Sequence, residues 1–201
     1  MTIEPAAAPS PQPSVLPPPG SQPAGAQPVA IAPPLRPAHI LFLGIGNDAR
    51  SIMAEAILNL TGRGARFLAF SAGKQPRRAV SPHTVGLLTG LGYDHSMLRP
   101  KSWDEFAAIS APPVDFVVTL AAPAELGPFP SFFGAALAAD WPTPDPAKPE
   151  GGDTPATAHA RVYWLLEQRV KRLLALPPTL EGAALAARLA AIGRLPLTKQ
   201  G

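Results

Sequence analysis

The chain has 201 residues, a formal net charge of +3, 28 prolines and no cysteine. Without cysteine, disulfides, thiolate metal sites and thiol catalysis are excluded. The charge is modest and no basic stripe alternates with aromatic residues, so we expect no nucleic-acid partner. The four histidines, at positions 39, 83, 95 and 159, lack the spacing of metal ligands, and we expect neither a metal nor another cofactor.

Twelve of the prolines fall within residues 1–37. This segment has no apolar periodicity and cannot bury enough surface to offset its ordering entropy, so we predict a disordered Pro-rich tail. It lacks the basic start and apolar core of a secretory signal. No apolar run in the chain approaches the roughly 20 residues that span a bilayer. We therefore expect a cytoplasmic protein without a membrane partner.

Strands and helices alternate along the rest of the chain. Short apolar runs predict strands at residues 39–44, 66–73, 114–120 and, more weakly, 135–140. Apolar periodicity predicts helices at residues 50–60, from Ser81-Pro82 to about Gly92, at 156–176 and at 180–192. Such alternation predicts βαβ units, and therefore an α/β fold with a parallel sheet covered by helices on both faces.

The composition separates the tail at residues 1–37 from the rest of the chain. Residues 38–201 are enough for one domain with a sizeable core. The apolar stripe of the last helix (Leu185, Leu189 and Ile192) must pack either on the domain or on a partner. The sequence leaves both possibilities open.

The loop after the first predicted strand, GIGNDARS at residues 44–51, has the features of an anion site. Ligands of parallel α/β sheets bind beyond the carboxyl ends of the strands, where this loop lies. Glycines let a backbone turn its N–H groups inward at a helix N-terminus, and Arg50 adds a planar donor fork suited to a tetrahedral oxyanion. The spacing differs from the Walker pattern of nucleotide loops. Taken alone, the stretch equally suits an ordinary turn with an exposed arginine.

FLGIGNDARSIMAEA at residues 42–56 resembles the signature of the low-molecular-weight protein tyrosine phosphatases and the related thioredoxin-coupled arsenate reductases. That signature is a CxGNxCRS-type loop followed by xMAEA. SAG at 71–73, VDFVVTL at 114–120 and DWPTPDP at 140–146 follow in the order of the family. The resemblance covers roughly residues 38–176 and implies that they form a small four-stranded parallel α/β domain. It leaves residues 177–201 as a C-terminal extension with one helix.

The resemblance also implies roles for individual residues. Asn47 would hold a left-handed turn, Arg50 would clamp the oxyanion, and Asp145 would occupy the general-acid position. Ser51 and Ser71 would support the loop with hydrogen bonds. The phosphate-binding loop as a whole would consist of Gly44, Ile45, Gly46, Asn47, Asp48, Ala49, Arg50 and Ser51.

The sequence departs from the family pattern at the positions of the family's cysteines. The nucleophilic cysteine falls on Gly44 and the second loop cysteine on Ala49. The redox pair of the arsenate reductases falls on Ala121 and approximately Gly127. A covalent phosphocysteine cannot form without the thiol, and arsenate reduction lacks its electron source. We therefore expect a catalytically inactive pseudophosphatase that binds phosphate or phosphotyrosine.

Two other functions stay open. One is a weak residual phosphomonoester hydrolase that uses Asp145 or Asp48 with water. The other is an interaction protein with a vestigial pocket, whose partner binds the Pro-rich tail or the last helix. For Asp48 itself, a helix N-cap is favoured over a water-activating base, because aspartate just before a helix is commonly structural.

Further side chains have two interpretations each. Lys74, Arg77 and Arg78 form either a basic wall beside the crevice or a solvated loop, and the solvated loop is slightly favoured. Trp141 either lines the crevice or belongs to the core.

Overall fold

The computed structural model describes residues 36–62 and 66–195. The Pro-rich tail predicted at residues 1–37 lies outside the described residues except for its last two positions. The strands are β1 (Ala38–Gly44), β2 (Phe67–Gly73), β3 (Phe116–Thr119) and β4 (Leu137–Asp140). The helices are α1 (Arg50–Thr61), α2 (Pro82–Gly90), α3 (Pro123–Leu126), α4 (Pro155–Leu174) and α5 (Gly182–Arg194).

The elements predicted from apolar pattern are confirmed in type and place. The single-turn α3 and the short 3-10 helices at His95–Met97, Trp103–Ala107 and Ser131–Phe133 were not predicted. Segments of three to five residues contain too few apolar positions for a helical period to be recognised.

The strands form one parallel sheet in the order β2-β1-β3-β4. Gly44 at the end of β1 pairs with Gly73 at the end of β2. On the other side of β1, Leu43 pairs with Thr119, which in turn pairs with Asp140 of β4. The last residues of all four strands therefore lie along one edge, and the loops that follow them meet there.

The central strands β1 and β3 are buried on both faces of the sheet, as their continuous apolar runs predict. Ile40 and Phe42 of β1 pack into a core cluster shared with the long helices α1, α4 and α5. Leu41 and Leu43 point to the opposite face, where Trp103, Leu126 and Phe133 from short helical segments cover them. Packing on two sides fixes β1, and with it the start of the loop that follows.

Helix α5 packs on the sheet at β4. Its apolar stripe is buried in the same core as the other long helices (Leu185, Leu189 and Ile192). Of the two possibilities left by the sequence, the structure therefore shows packing on the domain. Trp141 is fully buried, and its indole Nε1 donates a hydrogen bond to the Leu189 carbonyl at 2.9 Å, so this side chain belongs to the core. Within the described residues, no helix has the length and hydrophobicity needed to cross a membrane.

Candidate functional site: the loop between β1 and α1

Four carbonyl groups of the loop after β1 are hydrogen-bonded to the segment that follows β2. They accept hydrogen bonds from the backbone N–H groups of the segment after β2, in the pairs Gly44–Lys74 (3.3 Å), Ile45–Gln75 (2.9 Å), Gly46–Arg77 (2.8 Å) and Asp48–Ser81 (2.9 Å). Among the described residues, the N–H groups of residues 45–52 donate to no backbone or side-chain acceptor. Successive unpaired N–H groups at a helix N-terminus form a concave donor surface for an anion.

Asn47 holds the turn of this loop. Its φ of 46° lies in the left-handed region, which asparagine tolerates better than most residues. The buried side chain donates from Nδ2 to Ser51 Oγ and to Ser71 Oγ, both at 2.9 Å. Its Oδ1 accepts the backbone N–H of Lys101 at 2.7 Å. One side chain thus fastens the loop to α1, to β2 and to the segment before residue 102.

A second layer of residues supports Asn47. Ser71 Oγ donates to Glu55 Oε2 at 2.5 Å, and the same carboxylate oxygen accepts from Lys101 Nζ at 3.1 Å. Neither Glu55 nor Lys101 was proposed from the sequence. Glu55 falls within the quoted xMAEA motif, which could have indicated it, whereas no local signal marks Lys101.

Gly73 also meets the loop at close range. A Cβ at this position would lie 2.6 Å from the Ile45 carbonyl oxygen and 2.9 Å from the Asn47 nitrogen. No side chain fits there without displacing the loop backbone. The last residue of SAG is therefore glycine because two backbones approach each other at this point.

Arg50 joins three of the loops at the carboxyl edge. Its Nη1 donates to the carbonyl oxygens of Thr143 at 3.0 Å and Leu120 at 3.3 Å, which follow β4 and β3. Its Nη2 lies 3.7 Å from Asp145 Oδ2, which is an ion-pair distance and too long for a direct hydrogen bond. The side chain of Arg50 is only 13% exposed. The structure therefore brings Arg50 and Asp145, which are distant in sequence, into one site.

Gly44, the first residue of the loop, has no side chain. A Cβ added there would lie 3.2 Å from Ser51 Oγ and 3.8 Å from Ser51 Cβ, with no other non-neighbouring atom within 4 Å in the described residues. Ala49, the other position of interest, is buried with a methyl group alone. Neither position offers a nucleophile, and small shifts of Ser51 would accommodate a side chain at residue 44.

Asp48 does not cap α1, so the favoured interpretation of this residue was wrong. The N-cap position is Ala49, and no side chain caps the helix. Asp48 instead turns back over Gly46, since its Oδ1 lies 2.7 Å from where a Cβ of Gly46 would be. The side chain of Arg77 approaches the same point, with Cγ at 2.9 Å. The side chains of an aspartate and an arginine therefore meet next to Gly46.

Two histidines lie beside the site. His159 is buried, with Nδ1 2.7 Å from the Pro155 carbonyl and Nε2 3.1 Å from Ser81 Oγ. The carbonyl can only accept, so Nδ1 carries the proton in the neutral ring and Nε2 accepts from the serine hydroxyl. The exposed His83 ring lies 5.2 Å from the His159 ring. This contact joins α2 to α4.

A model of the family "low molecular weight phosphotyrosine protein phosphatase" matches residues 39–186. The chain belongs to this family. The match includes every residue of the loop, Ser71 and Asp145. This member of the family has no cysteine anywhere in its 201 residues.

Solved structures of arsenate reductases and of a tyrosine phosphatase show the same fold. An arsenate reductase from Archaeoglobus fulgidus is 27% identical, with a TM-score of 0.53 over 68% of this chain and 99% of that one. An arsenate reductase in a phosphate binding state is 23% identical, with a TM-score of 0.54 over 69% and 97%. A low molecular weight tyrosine phosphatase from T. tengcongensis is 24% identical, with a TM-score of 0.51 over 67% and 95%. A comparison with curated protein sequences gave no match.

Proposed function

We propose that this phosphatase-family protein binds a tetrahedral oxyanion, either phosphate or a phosphorylated ligand, without turning it over. The observation that carries the proposal is the set of N–H groups of residues 45–52 that have no acceptor among the described residues, together with the Arg50 guanidinium, which is held at the same edge of the sheet. Preorganised N–H groups and a fixed arginine suit the oxygens of a phosphoryl group, because a rigid site loses little free energy when the anion binds. Gly44 adds no competing side chain.

The covalent step of a thiol phosphatase cannot occur at Gly44. That step requires an atom that attacks phosphorus and leaves again, and glycine has none. Ser51 Oγ is the hydroxyl nearest to the missing Cβ, but it already accepts a hydrogen bond from Asn47. Arsenate reduction needs electrons from thiols, which this chain does not contain.

The loss of a thiolate favours anion binding. A negative sulfur about 4 Å from a bound oxyanion would repel it by about 4 kcal/mol at an effective dielectric constant of about 20. Gly44 removes that repulsion. Asp48 returns one negative charge near the loop, but on the side of Gly46 where Arg77 also lies. The balance leaves a site that accepts an anion more readily than a thiolate-bearing loop would.

Isothermal titration calorimetry tests the binding with inorganic phosphate, arsenate and a phosphotyrosine peptide. We expect a dissociation constant below about 1 mM for at least one of them. Arg50→Ala should weaken that binding by about tenfold to a hundredfold, since it removes a charged hydrogen-bond donor. Arg188→Ala, which removes an exposed arginine on α5, is the matched control and should bind as the wild type does. Absence of binding by the wild-type protein would overturn the proposal.

A weak hydrolase is the second candidate, because Asp145 lies 3.7 Å from Arg50 at the proposed site. In that function, Asp145 would protonate the leaving group and water would attack phosphorus directly. Turnover of an aryl phosphate decides between the two candidates. Activity that Asp145→Asn abolishes would favour the hydrolase, whereas binding without turnover favours the pseudophosphatase.

A further inference from the structure

Arg169 on α4 is a buried cation surrounded by neutral acceptors. The residue is 4% exposed, and among the described residues no carboxylate lies within ion-pair distance of it. Burial, with a smaller contribution from Arg172, lowers its pKa to about 10, so it remains charged at neutral pH. A buried charge is stable only when polar groups around it replace water. Those groups are therefore held in fixed positions.

The acceptors of Arg169 come from two separate parts of the chain. Nη1 donates to the Trp141 carbonyl at 3.0 Å and to Thr143 Oγ1 at 2.9 Å. Nη2 donates to the carbonyls of Pro142 at 3.1 Å and Gly193 at 3.2 Å. Gly193 lies in the last turn of α5, where unpaired carbonyls carry a partial negative charge that suits a cation. Arg169 thus clamps the loop after β4 to the end of α5.

Two further contacts fix α5 against the same loop. The Trp141 indole donates to the Leu189 carbonyl, as described above. A Cβ at Gly193 would overlap the Asp140 carbonyl oxygen. Only glycine lets the helix approach the end of β4 this closely.

Hydrogen bonds connect Arg169 to Arg50 at the oxyanion site. Thr143 is their common member, because its hydroxyl accepts from Arg169 and its backbone carbonyl accepts from Arg50 Nη1 at 3.0 Å. We propose that Arg169 and α5 act as a positioning device for the oxyanion site by holding Thr143 where it orients Arg50. The expected change in phosphate affinity rests on the proposed binding function. The expected change in the loop after β4 does not.

Gly193→Ala tests the device, because a methyl group there must push α5 away from β4. Gly86→Ala on α2 is the matched control, since a Cβ at Gly86 meets nothing within 4 Å. Arg169→Lys is a second variant that keeps the charge but cannot reach four acceptors at once. Phosphate affinity should fall by about tenfold in Gly193→Ala and by several-fold in Arg169→Lys, and it should be unchanged in Gly86→Ala.

Amide hydrogen exchange provides a readout that needs no ligand. In Gly193→Ala, the peptide covering residues 140–147 should exchange at least about tenfold faster than in the wild type. If that variant does not fold, the same increase is expected in Arg169→Lys. The peptide covering residues 74–81, whose N–H groups donate to the carbonyls of the β1 loop, should not change. If the wild type binds no phosphate but exchange rises in this pattern, the proposed function fails and the positioning device stands. Unchanged exchange at residues 140–147 in the folded variants would overturn the positioning device. If the wild type binds phosphate, equal affinity in these variants would overturn it as well.

Discussion

The loop after β1 and the loop after β4 both contact Arg50, yet they are fixed in different ways. Residues 44–50 are held by backbone hydrogen bonds to the neighbouring segment 74–81 and by Asn47 within the loop itself. Residues 141–146 contain prolines at positions 142, 144 and 146, which have no N–H to donate. This second loop has two backbone hydrogen bonds, from Trp141 to Thr119 and from Thr143 to Leu120, and its carbonyls accept from Arg169 and Arg50.

The difference shows how a site can combine local and remote support. A loop that carries its own asparagine and glycines keeps its shape through nearby residues, whereas a proline-rich loop supplies carbonyls and needs donors from elsewhere. We therefore expect changes near Asn47 to alter the β1 loop alone. Changes in α4 or α5 should alter the β4 loop and reach the site through Thr143.

Asn47→Ala should have the largest effect on stability. The change removes three buried hydrogen bonds and places alanine at a positive φ, at a cost of about 3 kcal/mol in the free energy of unfolding. Asn47→Gly removes the same bonds but relieves the backbone, so it should cost about 1 kcal/mol less. Urea denaturation measures both values. Equal losses in the two variants would show that the left-handed turn carries no strain.

Gly73→Ala should cost about 2 kcal/mol in the free energy of unfolding, because its Cβ would meet the Ile45 carbonyl and the Asn47 nitrogen. Gly86→Ala makes the same chemical change in open space within α2 and should stabilise the protein by about 0.5–1 kcal/mol. Urea denaturation of the two variants checks the opposite signs. A Gly73→Ala protein as stable as the wild type would contradict the close approach described for this position.

Trp141→Phe should lower the free energy of unfolding by about 1 kcal/mol, since it removes the hydrogen bond to the Leu189 carbonyl and keeps most of the buried ring. Amide exchange should rise in α5 and around residue 143 but not at residues 74–81, whose N–H groups donate to the β1 loop. Urea denaturation and exchange measured on the same protein check both parts. Faster exchange at residues 74–81 would show that the two loops are not independently supported.

Asp115→Asn should have the smallest effect, because Asp115 lies at the amino end of β3, opposite the site. Burial tends to raise the pKa of this carboxyl, but hydrogen bonds from Arg36 and from the His39 N–H outweigh it and lower the pKa below its ordinary value of 3.8. The carboxylate therefore stabilises the fold at neutral pH, and this contribution is lost as pH falls below about 4.

At pH 7 we expect Asp115→Asn to cost at most about 1 kcal/mol in the free energy of unfolding, since the pair with Arg36 is partly exposed. Urea denaturation at a series of pH values should show the difference from the wild type shrinking toward acid. A difference that grows below about pH 4 would have the wrong sign. Phosphate affinity should be unchanged at neutral pH, which makes this variant a remote control for both loops.

The sequence predicted the elements that have a repeating apolar pattern and the loop that has a local motif. The strands around Phe42 and Val118 are continuous apolar runs, so their place in a buried parallel sheet followed directly. Asn47 could be assigned a left-handed turn because the family resemblance names that position. Its φ of 46° fits that assignment.

Support from distant residues could not be predicted from the sequence. Arg169 lies in a helix where an arginine is expected to face solvent, and nothing near it indicates that it is buried among carbonyls. Asp48 has the position of a helix cap, but its side chain turns over Gly46. The partner of α5 stayed undecided because an apolar stripe indicates burial without naming the surface that covers it.

Gly44→Cys tests most directly whether the loop is an assembled phosphate site that lacks only its nucleophile. Gly44→Ala is the matched control, because it fills the same space next to Ser51 without adding a thiol. The account predicts no hydrolysis of an aryl phosphate by the wild type or Gly44→Ala, and measurable turnover by Gly44→Cys. Equal turnover by all three proteins would contradict it, and so would a folded Gly44→Cys that binds phosphate but remains inert.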